Sequence, residues 1–108
     1  MVFAAIFPGQ GSQSVGMMQE LYQSSSKIQN IYEQASSLLG YDLWKLTSSD
    51  DNNQLSSTTY TQPAMLVAGI ASWNHYIDNF DIKPTYMAGH SLGEYTALVC
   101  SGAVSYTH

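Results

Sequence analysis

The segment that most constrains this chain runs from Tyr86 to Cys100: Tyr-Met-Ala-Gly-His-Ser-Leu-Gly-Glu-Tyr-Thr-Ala-Leu-Val-Cys. A short apolar stretch, residues 84–88, enters Gly89-His90-Ser91-Leu92-Gly93, and an apolar helical pattern over residues 92–101 follows at once. Strand, tight turn and helix in that order make the pattern of a nucleophile elbow, which holds a serine exposed on a strained turn. The Leu92 backbone N–H and the positive end of the helix are then aimed at any oxyanion formed beside Ser91. Gly89 and Gly93 stand two residues to either side, where a Cβ would meet the neighbouring strand and helix. The plainer alternative is a glycine turn that needs only flexibility.

A second signal lies at the other end of the chain. Residues 2–7 form a continuous apolar run, suited to a buried strand, which breaks into Pro8-Gly9-Gln10-Gly11-Ser12-Gln13. This is either an ordinary strand-ending loop or a loop whose glycines let the Gln10 backbone N–H approach a ligand as the second donor of an oxyanion hole.

Three stretches taken together carry a resemblance. Phe7-Pro8-Gly9-Gln10-Gly11-Ser12-Gln13, Thr61-Gln62-Pro63-Ala64 and Gly89-His90-Ser91-Leu92-Gly93-Glu94-Tyr95, with Gly40-Tyr41-Asp42-Leu43-Trp44 between them, resemble the malonyl-CoA:acyl carrier protein transacylases of bacterial fatty-acid synthesis. The resemblance extends over nearly the whole chain. It implies transfer of a malonyl group from coenzyme A to the phosphopantetheine thiol of an acyl carrier protein, through an ester on the serine. By position Ser91 is then the nucleophile, and Gln10 and Leu92 supply the oxyanion-hole N–H groups, with Gln10 also touching substrate. It further implies no cofactor beyond the coenzyme A thioester that serves as substrate, and a monomeric full-length enzyme.

The chemistry fits these residue types. A thioester carbonyl is attacked by an oxygen that loses its proton as it bonds, and the resulting anion needs preorganised donors. Two groups are missing, however. The histidines are His75, His90 and His108. His90 precedes Ser91 and on an extended strand points to the opposite face. His75 lies off the apolar stripe Leu66, Ile70, Trp73, Ile77 and Phe80 of a long helix, as a rim histidine does. His108 is the final residue, where order is commonly poor. Arginine is absent as well: the basic residues are Lys27, Lys45 and Lys83. The family holds the malonyl carboxylate with an arginine, whose planar fork suits bidentate recognition. The expectation is therefore the amino-terminal part of an acyltransferase α/β domain, residues 1–108, without the family's ferredoxin-like subdomain and inactive by itself.

The expected architecture is α/β: part of an α/β-hydrolase-like parallel sheet with helices on both faces. Only two strands are evident, and 44% apolar residues against 10% charged predict exposed apolar surface around so small a sheet. Helices are expected over residues 17–22 and 27–39, the latter closed by Gly40, and one ending near Phe80 that Thr61 caps, with Pro63 in its first turn. Residues 48–61 read as a polar surface loop with a turn near Gln54. The helix after Ser91 reads as buried, with Glu94 favoured in its first turn by the helix dipole.

A net charge of −5 argues against nucleic acid as partner. The three scattered lysines make no docking patch for an acidic carrier protein, which places that surface elsewhere. Cys100, the single cysteine, reads as a small core residue. Without a signal-peptide pattern, a disulfide pair or an apolar run long enough for a bilayer, the chain is expected to be cytoplasmic and to bind no membrane. No cluster has metal-ligand spacing. A general serine esterase of the α/β-hydrolase type is the alternative within enzymes, since the elbow alone would serve it. A non-catalytic fragment or interaction module is the alternative outside them.

Overall fold

The computed structural model describes residues 2–105. Strand β1, Ala4–Phe7, pairs in parallel with β2, Tyr86–Gly89, in the register Ala4 to Tyr86 and Phe7 to Gly89. Between them run four helices: α1 Gln19–Ser24, α2 Ser26–Leu39, α3 Leu43–Ser48 and α4 Thr58–Asn79. Helix α5, Gly93–Cys100, follows β2. A parallel pair requires a long crossover, and here the crossover is the whole helical half of the molecule.

That half is organised by capping and apolar periodicity. Ser25 accepts a hydrogen bond from the Ile28 N–H to start α2, and Gly40 at φ 83 ends it, its N–H returning to the Ser36 carbonyl. The buried face of α2 carries Ile28, Tyr32 and Ala35. Against it pack Leu43 and Leu46 of α3, Leu55, and Ala64, Val67 and Ala71 of α4 in one continuous core. The rings of Tyr22 and Trp44 stack with centroids 3.8 Å apart, and Tyr32 meets Trp44 edge-on.

Several expectations are corrected. Helix α3 was not expected; the Asp42 carboxylate caps it by accepting from the Lys45 N–H at 3.0 Å. Helix α4 begins three residues before Thr61, so Pro63 stands in its second turn rather than its first. Thr61 is fully buried and donates to the carbonyls of Leu55 and Ser57, closing the preceding loop instead of capping the helix. The buried side of α4 also differs from the expected stripe: Ile70 is buried, but Ile77 and Phe80 are exposed. The small residues Ala64, Ala68 and Ala71 are buried instead, because they let α2 and α5 approach closely. At Gly69 a Cβ would stand 2.5 Å from the Thr96 methyl, so glycine there sets how closely α5 can lie on α4.

The sheet is covered on one face, not two. The Phe7 ring turns toward α4 and packs edge-on against Trp73 at 6.4 Å. The alternate residues Ala4, Ile6, Tyr86 and Ala88 face outward, with Ile6 74% exposed, because no described element lies on that side. Helix α5 is likewise buried only along Gly93, Thr96 and Ala97, while Tyr95 and Leu98 are exposed. His108 lies outside the described residues.

Candidate active site

The parallel register brings together two motifs eighty residues apart in sequence. The His90 N–H donates to the Phe7 carbonyl at 3.1 Å, so the two strands leave the sheet side by side. β1 then enters the Gln10 loop, and β2 enters Ser91. Ser91 has φ 57, in the left-handed region that a residue with a Cβ seldom occupies. The turn is closed by Gly93 N–H to His90 carbonyl at 3.0 Å and Glu94 N–H to Ser91 carbonyl at 3.1 Å. Ser91 is exposed at its apex.

Three glycines allow this approach. A Cβ on Gly89 would lie 1.9 Å from the Gly93 carbonyl carbon, and one on Gly93 would lie 2.0 Å from the Phe7 carbonyl oxygen. A Cβ on Gly9 would come 2.5 Å from the His90 carbonyl oxygen, 3.3 Å from Ser91 Cβ and 3.4 Å from the Leu92 nitrogen. Gly9 therefore wedges the Gln10 loop directly against Ser91 and Leu92. Among the described residues no hydrogen bond occupies the backbone N–H of Gln10 or of Leu92. Ser91 thus stands exposed just before α5, which carries Glu94 in its first turn, with the Gln10 loop packed against it.

Of the remaining candidates, His90 is exposed beside Ser91, whereas His75 is half-buried toward the C-terminal end of α4. Thr58, the first residue of α4, meets the Gln10 loop, and His75 stands about 25 Å further along the same helix axis. Cys100, at the end of α5, is half-buried, and burial pushes its thiol up to about 11, away from the reactive thiolate. Among the described residues no group of three His, Cys, Asp or Glu side chains could hold a metal ion. Among those residues no helix is long and apolar enough to cross a membrane.

One participant at this site was missed by sequence reasoning. The Gln10 amide Nε2 donates to Thr58 Oγ1 at 3.0 Å, linking the loop to α4. Thr58 lies in a Ser/Thr-rich stretch that reads as surface loop, and nothing local distinguishes it from Ser56, Ser57 or Thr59.

Comparison with known proteins places this chain in a family. The malonyl CoA-acyl carrier protein transacylase of Salmonella typhimurium is 47% identical over 104 residues, covering 96% of this chain and 34% of that protein. The protein of the same name from Haemophilus influenzae is 47% identical over 105 residues, with the same coverage. The structure of the transacylase from Coxiella burnetii superposes with a TM-score of 0.94 at 46% identity, covering 99% of this chain and 34% of that one. A malonyl-transacylase solved in complex with its type II polyketide acyl-carrier protein superposes at 0.93 with 43% identity, over 99% of this chain and 35% of that one. The chain thus spans about a third of the length of the relatives it matches. Since residues 3–108 match the acyl transferase domain, nearly the whole chain, it belongs to that family.

Proposed function

We propose that this chain forms the nucleophile-bearing part of a malonyl-CoA:acyl carrier protein transacylase, with Ser91 as the residue that carries the malonyl group. The observation that carries the reading is the convergence of exposed, left-handed Ser91 with the free N–H groups of Gln10 and Leu92. It supports reading the turn as a nucleophile elbow beside an oxyanion hole.

In the reaction, Ser91 Oγ bonds to the thioester carbonyl carbon of malonyl-CoA as its proton passes to a base. The carbonyl oxygen gains negative charge and is held by the N–H groups of Gln10 and Leu92. Collapse breaks the carbon–sulfur bond, the coenzyme A sulfur takes a proton, and malonyl remains as an ester on Ser91. The phosphopantetheine thiol of an acyl carrier protein then attacks that ester, passes through the same oxyanion and returns the proton to Ser91. One site serves both half-reactions because each exchanges a thiol for a hydroxyl at the same carbonyl. Each oxyanion donor contributes on the order of a hundredfold to a thousandfold in rate.

The reading assigns the base and the arginine for the malonyl carboxylate to the further two thirds of a chain as long as the relatives. No cofactor has a role in these steps. The reaction takes place in the cytoplasm, where coenzyme A thioesters and carrier proteins are the soluble substrates. The test is malonyl transfer from malonyl-CoA to a phosphopantetheinylated carrier protein by these residues joined to the remaining two thirds of the Salmonella relative. Transfer that Ser91→Ala abolishes is expected. A joined protein that folds and hydrolyses simple esters but transfers no malonyl would overturn the reading in favour of an esterase.

A further inference from the structure

We infer that Thr58 is a positioning residue for the oxyanion hole: its hydroxyl holds the Gln10 loop in the conformation that presents the Gln10 N–H beside Ser91. The inference rests on the transacylase reading for its catalytic consequence, but its structural part stands alone.

The loop is held by two unlike contacts. On its inner side Gly9 fits against His90, Ser91 and Leu92 with no room for a Cβ. On its outer side Gly11 has φ 107 and open space where a Cβ would be. Its own bonds are local, Ser12 N–H to Gly9 carbonyl at 3.3 Å and Gly11 N–H to Gln13 Oε1 at 2.7 Å. These fix the shape of the turn but not its tilt relative to Ser91. The Gln10 side chain supplies the outer reference by donating to Thr58 Oγ1 at 3.0 Å.

Thr58 is a suitable anchor because it opens α4, a helix of 22 residues that packs on both α2 and α5. Helix α5 also begins immediately after Leu92. The anchor therefore ties the Gln10 donor to the same scaffold that carries the Leu92 donor. An oxyanion hole needs both donors fixed to within a fraction of an ångström, and a misplacement of about 1 Å can cost on the order of a hundredfold. A surface hydrogen bond that adds little to folding can then matter to rate.

The experiment compares Thr58→Val, which keeps the shape and loses the hydroxyl, with Thr58→Ser, which keeps the hydroxyl. In the joined protein described above, Thr58→Val is expected to lower kcat about tenfold with KM for malonyl-CoA nearly unchanged, and Thr58→Ser to restore kcat to within about twofold. In a Gln10→Met background Thr58→Val should have no further effect, because the bond is already gone. In parallel, NMR hydrogen exchange of the Gln10 side-chain amide is measured in the 108-residue chain, where Thr58→Val should accelerate it and Thr58→Ser should not. Unchanged kcat in Thr58→Val, equal loss in Thr58→Ser, or a full additional loss in the Gln10→Met background would overturn the inference. If the parent joined protein transfers no malonyl, the functional reading fails, while unaltered Gln10 exchange in Thr58→Val would separately overturn the anchoring.

Discussion

The helical half and the sheet end of this molecule are built to different degrees of closure. Around α2, α3 and α4 the core is continuous, and Ile28, Tyr32, Leu43 and Leu55 are almost wholly enclosed. Around β1, β2 and α5, burial stops at Phe7, Gly93, Thr96 and Ala97, and Val2, Ile6, Tyr86, Tyr95 and Leu98 are exposed. The helical half is held by side-chain packing. The sheet end is held by backbone-to-backbone proximity that only glycine permits. The chemistry proposed for Ser91 sits on the less enclosed end, where Ser91 is exposed.

The sharpest way to break this comparison is Gly89→Ala. The new Cβ would fall on the backbone of Gly93, so the turn must open, at an expected cost above about 4 kcal/mol. Hydrogen exchange should show protection lost in β1, β2 and α5 but kept in α2 and α3. Uniform loss would mean that the two ends fold as one unit.

In the helical half the corresponding lesion is a cavity. Leu43→Ala, at a residue with 0% exposure, should cost about 3 kcal/mol in denaturant unfolding. A smaller loss, below about 1 kcal/mol, would show a core much looser than its enclosure suggests.

Cys100 gives a weaker test of the sheet end. Burial raises its thiol from 9.0 to about 11, so the folded chain prefers the protonated form. That preference contributes fully below about pH 9 and is lost as the pH rises toward 11. Denaturation midpoints should therefore fall over that window, and Cys100→Ala should remove this part of the fall. An identical pH profile in the variant would show that the thiol is not desolvated.

The smallest effect is expected on the open sheet face. Ile6→Ser should change stability by no more than about 0.5 kcal/mol while reducing concentration-dependent light scattering. A cost like that of Leu43→Ala would mean that Ile6 is covered in solution.

Much of this was legible in the sequence where the signal is local. The helix expected over residues 27–39 with its Gly40 cap, the two strands and the strand–serine–helix order all follow from apolar runs and glycines. The features that were missed depend on partners distant in sequence. Thr61 turned from expected cap to buried loop-closer because Leu55 is beside it, and Thr58 matters because Gln10 is. The one-faced sheet could not be read from the two apolar strand patterns, since a run such as residues 2–7 suits burial on both sides whether or not a second layer is there. At the site, Ser91 and its glycines were visible because conformational strain restricts residue type. Their juxtaposition with the Gln10 loop required the parallel register.

The central claim is that Ser91 has its oxyanion donors here but not its base. It is tested most directly by intact-mass spectrometry after incubation with malonyl-CoA, comparing the 108-residue chain, the joined protein and its Ser91→Ala variant. The account predicts one malonyl group on the joined protein, mapped to the peptide containing Ser91, and none on the folded short chain or on Ser91→Ala. A malonyl group on the short chain, or one that survives Ser91→Ala, would contradict it.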